Sequence, residues 1–188
     1  MFDKVKAENA RIFGSDDDSV AIGANLDTIL PEGLEALGAE FEEVGWLGDE
    51  GIGFSPEDSV DKFHGHQGGR VVRTKMTSSE TTFTFQALES KISHVGLAMS
   101  VKASETAEGG VTKHTMGARE VVRRPFVIDT YDDDKHYRWI IPIGEIGERT
   151  KFALSKGDIT AWEFNVEIIG DFYLITNDPA MAVAEAGA

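Results

Sequence analysis

Between residues 70 and 88 the chain alternates between two kinds of side chain, and this alternation limits the folds open to it. Val72, Thr74 and Met76 interleave with Arg73, Lys75 and Thr77; further on, Thr81, Phe83, Phe85 and Ala87 interleave with Thr82, Thr84 and Gln86. A period of two puts successive side chains on opposite faces of an extended strand, so one face can enter a core while the other meets water. β-Branched and aromatic residues suit such a pleated surface. The pattern predicts a hairpin in which residues 70–77 run out and 81–88 return, with Thr77, Ser78, Ser79 and Glu80 as its turn.

The same signal recurs along the chain. Residues 120–131 and 136–146 predict a second hairpin around Asp132, Asp133, Asp134 and Lys135. Thr160, Trp162, Phe164, Val166 and Ile168 alternate with Ala161, Glu163, Asn165 and Glu167, as in a half-buried strand. Ile140, Ile141, Pro142 and Ile143 form a continuous apolar run, which is buried on both faces or meets another subunit. Shorter strands are predicted over 20–23, 41–47, 52–55 and 149–155, with an acidic Gly-rich turn at Gly48, Asp49, Glu50 and Gly51 and an acidic connector after Ser55. The period changes once: Ile92, Val95, Leu97 and Met99 fit a short amphipathic helix within 90–99, capped by Ser90. Residues 27–37 read as a loop with one helical turn starting at Pro31 and closed by Gly38. Residues 103–110 read as a flexible polar loop.

Residues 1–19 read as a flexible N-terminal arm and 177–188 as a flexible C-terminal tail, leaving 20–176 as one β domain. Eight to ten strands, one short helix and long loops or arms predict a mainly β fold, a β-sandwich or β-barrel. No βαβ alternation points to a doubly wound sheet, and no internal repeat of useful length stands out.

At 188 residues the chain is large enough for one domain with a real core. It has no cysteine, which excludes disulfides, thiolate metal sites and cysteine nucleophiles. Its first residues lack the apolar run of a signal peptide, and no stretch approaches the length of a membrane span. The expectation is a protein kept in solution inside a cell, or packaged from there. The net charge of −15 argues against a nucleic-acid grip, which depends on Lys and Arg displacing counterions. Acid is unevenly spread: residues 16–61 contain no Lys or Arg. Acidic surfaces favour solubility, and an acidic wall also lets DNA slide without sticking.

Candidate chemistry is sparse. His64 and His66 share one side of an extended segment and are of a type that binds zinc or copper, with Asp58, Asp61 and His114 as conceivable further ligands; no fixed ligand spacing demands it. Asp16, Asp17 and Asp18, and Asp132, Asp133 and Asp134, lack the Asp-x-Asp-x-Asp-Gly pattern of a calcium loop and read as solvated turns. The glycines at 48–53 and 65–69 lack the Gly-Lys-Ser/Thr of a phosphate cradle and read as aids to tight turns. There is no Gly-x-Ser-x-Gly elbow, and Glu42 and Glu43 point to opposite faces of a strand. Arg123, Arg124 and Lys151 form no long basic stripe. The chain is expected to be no enzyme and to need no cofactor.

One segment carries a family likeness. Gly45, Trp46, Leu47, Gly51, Phe54 and Pro56 match a "G-Y/W-L/V-x-E-D-G-V-x-F-x-P" run. About a dozen residues later, Gln67, Gly68, Gly69, Val72, Arg73 and Thr74 match "W-Q-G-G-x-x-V-R-T", with His66 where an aromatic is usual, followed by a Thr- and Phe-rich return strand. In this order the segment, about a quarter of the chain, resembles the major tail tube proteins of long-tailed (siphovirus-type) bacteriophages, especially those of actinobacterial hosts.

The resemblance implies a structural virion subunit assembled in the host bacterial cytoplasm. Its copies form six-fold rings that stack helically into the tail tube, a conduit for DNA that passes without specific binding. Expected partners are the subunit itself, a tape-measure protein and the tail tip and terminator proteins, with no membrane. The arm, the residues from 103 to 115 and the tail are expected to reach the next ring. The bore is expected to be negative, with Thr82, Thr84 and Gln86 as polar candidates to line it and Arg73 and Lys75 needing acidic neighbours if they face inward. A tail terminator or decoration subunit of related fold, or a small β-sandwich enzyme or sugar-binding protein using His64 and His66, are the alternative readings.

Overall fold

The computed structural model describes residues 6–183. Among these are β1 (Ser19–Gly23), β2 (Phe41–Glu43), β3 (Leu47–His64), β4 (Val71–Ala87), α1 (Ile92–Met99), β5 (Val101–Thr106), β6 (Thr112–Met116), β7 (Val122–Asp132), β8 (Lys135–Ile146), β9 (Trp162–Ile168) and β10 (Tyr173–Thr176). The fold is mainly β. One antiparallel sheet runs in the order β2-β1-β7-β8-β9-β4-β3, with β10 also paired to β8, while β5 and β6 form a separate ribbon.

The large sheet folds over itself at β8. The first half of β8 pairs with β10 through Tyr137 to Ile140, and Gly144 and Glu145 pair with β9. Pro142 lies between the two, and the β7–β8 register shifts beside Pro125. Proline gives no N–H to a ladder, so sheets bend or bulge where it sits. The two halves then meet as a sandwich. Phe83 of β4 packs edge-on against Phe126 of β7 with ring centres 5.3 Å apart, and Phe54 of β3 lies 5.0 Å from Trp139 of β8. Gly144 stands at the closest approach, where a Cβ would come within 2.6 Å of the Phe126 ring and 2.7 Å of Val166. The buried set includes Val20, Phe83, Phe85, Phe126, Ile128, Ile141, Phe164 and Val166. Side chains of this size each contribute about 1.5–3 kcal/mol when withdrawn from water.

Several expectations hold. On β9, Trp162, Phe164, Val166 and Ile168 point inward and alternate with more exposed polar residues. The β7–β8 hairpin turns at Asp133, whose φ of 53° is left-handed, and Asp tolerates that region. Of the apolar run, Ile140 and Ile141 are buried, while Pro142 and Ile143 are half-buried.

Other expectations are corrected. The turn foreseen at residues 77–80 is extended chain inside β4; the hairpin is formed by β3 and β4, and its turn is at residues 65–70. The reversal needs positive φ, which Gly68 (75°) and Gly69 (62°) supply and residues 77–80 do not. The acidic connector after Ser55 is likewise strand, and residues 48–51 form a bulge in β3, where Gly51 takes φ 68°, instead of a turn. The strand expected over 41–47 ends at Glu43. The loop expected at 103–110 is mostly the exposed β5–β6 ribbon, turning at Gly109 and Gly110; having no buried face, it carries no hydrophobic period to read.

The strand expected over 149–155 does not form. Arg149 instead donates to the carbonyls of Leu97, Ile146 and Glu120 at 2.6–2.9 Å, and burial lowers its pKa. No helical turn forms at Pro31, because the carbonyls of Gly33 and Glu35 accept from the Arg138 guanidinium at 2.9 and 2.6 Å. Ser90 does not cap α1; it accepts from Trp162 Nε1 at 3.3 Å, and Lys91 takes the cap position.

The segments near the two termini meet over β8. Arg11 donates to Asp178 at 2.6–2.7 Å and to the Tyr137 hydroxyl at 3.1 Å, Tyr137 donates to Asp178, and Phe13 packs edge-on against Tyr137. Hydrogen bonds from Tyr137, the Ala180 amide and Arg11 hold the Asp178 carboxyl down at a pKa of about 2. Residues 1–5 of the predicted arm and 184–188 of the predicted tail lie outside the described residues.

Candidate functional site

The segment singled out in the sequence is one long ribbon. β3 and β4 pair from Leu47 opposite Ala87 to His64 opposite Val71. Near its base β4 also pairs with β9, from Ala87 to Thr82. Beyond Thr82 the ribbon has no third strand, and residues 57–77 are exposed apart from Gly65. At about 3.3 Å per residue, the ribbon carries His64 about 33 Å beyond Phe54. A two-stranded ribbon is marginal alone in water.

The motif residues fall at the two ends of this ribbon, not in one pocket. At the base, Gly45 has φ 81°, and any Cβ there would collide with the Glu89 carboxylate. Glu89 accepts from the Trp46 amide at 3.1 Å and pairs with Lys91 at 3.0 Å; these bonds, with that to Lys91 the larger, hold its pKa low. Lys91 also donates to the Glu43 carbonyl at 3.0 Å. Trp46 is thereby held on the surface, 71% exposed, while Leu47 and Phe54 pack on the core. Pro56 faces Thr81 where the ribbon leaves the body. Gln67, Gly68 and Gly69 form the distal turn, closed by the Gly65 amide on the Arg70 carbonyl at 2.9 Å and by His64 Nδ1 on the Gly69 carbonyl at 2.8 Å. Val72 bulges out at 73% exposure, Arg73 lies opposite Phe63 and Thr74 opposite Lys62.

Glu89 closes the singled-out stretch in the sequence, but nothing there ties it to Gly45, 44 positions away. The apolar exposure of the distal ribbon was missed: Val60, Phe63, Val71 and Met76 are 45–55% exposed. Their signal was present, since Val60 and Phe63 lie inside what read as a polar connector. Apolar residues grouped on an exposed surface mark a contact site.

A second surface is polar. Thr82, Thr84 and Gln86 lie opposite Glu167, Asn165 and Glu163 of β9, and Glu167 lies opposite Glu145 of β8. This is the face turned away from Phe83, Phe85 and Phe164. Its cation is Arg123, bonded to Glu145 at 2.7 Å.

Among the described residues no cluster of three or more His, Asp or Glu is placed to hold a metal ion, and no helix is long and apolar enough to cross a membrane. The arrangement offers strand edges and projecting ribbons, surfaces of the kind to which another strand can pair. A search of curated proteins finds no match. The family model for phage tail tube proteins matches residues 19–180, from the first residue of β1 to the short turn after β10. With its β-sandwich and its bare ribbon, the chain belongs to the phage tail tube protein family, a family of structural proteins of the virion tail.

Proposed function

We propose that this subunit builds the tail tube of a siphovirus-type phage from stacked six-fold rings, and that phage DNA passes down the bore on its way into the host. The observation that carries this reading is the β3–β4 ribbon, which leaves the body as two unsupported strands with apolar side chains in water. Such a ribbon gains a supported environment when copies come together. The sheet also leaves β2, β3 and β10 paired on one side only, and joining sheets between copies removes such edges. Unlike surfaces that meet around a closed rotation make a ring. The segments before Ser19 and after Thr176 and the β5–β6 ribbon serve as further contacts between rings, with a tape-measure protein inside and tip and terminator proteins at the ends.

The face bearing Thr82, Thr84, Gln86, Glu163 and Glu167 lines the bore in this reading. Its carboxylates offer phosphate no counter-charge, so DNA slides instead of binding.

Negative-stain microscopy of the purified chain over a rising concentration series tests the proposal. Long hollow tubes are expected. Isolated rings at every concentration would indicate a terminator, and a persistent monomer would remove the reading.

A further inference from the structure

We propose that the cleft beside the base of β3 is the socket for the distal β3–β4 ribbon of a second copy of this chain. The inference rests on the tube reading and deepens it by naming the two surfaces that meet.

The ribbon end is rich in positive charge. Residues 60–76 carry four cations, Lys62, Arg70, Arg73 and Lys75, against one carboxylate, Asp61, in a chain of net charge −15. Val60 and Met76 are cross-strand partners, so an apolar pair sits between these charges. The socket has the opposite character. It is an open cleft of about 1380 Å³ with Phe54, Ile128 and Trp139 in its walls and the exposed Trp46 beside them. Eight carboxylates line it, among them the exposed Asp16, Asp17, Asp49 and Glu50. Its single lining cation, Arg138, is already engaged by Asp129 at 2.7 and 2.9 Å. From residue 12 to residue 61, a span that supplies most of the lining, there is no Lys or Arg.

A chain cannot fill its own socket this way. β3 lines the cleft from Leu47 to Phe54 and then continues into the ribbon, so the ribbon end stands about 33 Å away. The β5–β6 ribbon is a poor occupant, because its Lys102 and Lys113 are balanced by Glu105 and Glu108. Two of the sheet's edge strands, β2 and β3, border the cleft and offer unpaired backbone groups to an incoming strand. Opposite charges steer the two surfaces together, and Trp46 and the apolar pair supply the contact that water leaves.

Charge reversal tests the pairing. One variant carries K62E, R73E and K75E in the ribbon; the other carries D16K, D17K and E50K in the socket. Each alone is expected to raise the concentration at which tubes form roughly tenfold or more. An equimolar mixture is expected to restore assembly, because each reversed surface then finds a complement. If either variant assembles at the wild-type concentration, or the mixture does no better than its components, the pairing is wrong while the tube reading stands. If wild-type protein forms no tubes, the tube reading itself fails. Should a variant lose the near-ultraviolet dichroism of the folded domain, a salt titration of wild-type tubes decides: dissociation as salt rises to about 0.5 M supports the pairing, and indifference to salt overturns it.

Discussion

Arg138 and Asp129 show how single residues hold this sandwich together. Arg138 grips Asp129 with two nitrogens and spends a third on the carbonyls of Gly33 and Glu35, so one buried side chain fastens the long loop after β1 to β7 and β8. Arg138→Met leaves Asp129 in a dry interior with His136 Nε2, at 2.7 Å, as its remaining side-chain partner, and is expected to destabilise the monomer by about 3 kcal/mol, read from the denaturant midpoint. Asp178 behaves differently. Its folded pKa of about 2 lies below its ordinary 3.8, so the carboxylate is favoured by folding. Its stabilising contribution is complete above pH 3.8 and fades as pH falls through 2. A carbon-detected titration of the Asp178 carboxyl should show the Arg11 contact intact at pH 4 and lost toward pH 2; a midpoint near the ordinary value would refute this. Neither cluster was legible in the sequence. Arg11, Tyr137 and Asp178 are brought together only by the finished fold, and an isolated Arg in an alternating strand reads as surface.

At the scale of elements, what could be read depended on burial. The alternation of Trp162, Phe164, Val166 and Ile168, and the Asp-rich tip between β7 and β8, gave their strands correctly because one face enters the core. The β3–β4 hairpin was seen but misplaced. Its outer half has no buried face to fix the period, and a register shift after Ser59 changes the pairing just where Thr77 and Ser78 imitate a turn. The decisive cue was the Gly68-Gly69 pair, whose positive φ closes the ribbon. The outgoing strand of the exposed β5–β6 ribbon read as a polar loop for the same reason. Because the distal ribbon contributes little to the core, it can be removed. Joining Pro56 to Thr81 through Asn-Gly should change monomer stability by no more than about 1 kcal/mol, since a lone ribbon is marginal. The same change should abolish tubes. Thermal melting and microscopy read the two effects separately, and normal tubes from the shortened chain would show that the ribbon is not an assembly element.

For the whole molecule, the proposed tube makes the charge of its wall decide what can move past it. If the Thr84 and Gln86 face is the bore, then E163K with E167K should leave the tubes intact but make them retain DNA at low salt, with the salt dependence rising by about one unit for each phosphate engaged. Filter retention of labelled duplex measures this, and equal passage through variant and wild-type tubes would place that face elsewhere. Family membership could be read from the spacing of a few glycines and aromatics, but which surfaces meet could not, since a contact between copies leaves no pattern along one chain. The pairing of ribbon and socket has a final consequence for a growing filament. Where that pairing runs from one ring to the next, one terminus of the tube shows bare cationic fingers and the other shows unfilled anionic mouths. Whatever seeds growth must fit one of these, and whatever halts it must fit the other, so the direction of the filament is already decided within a single subunit.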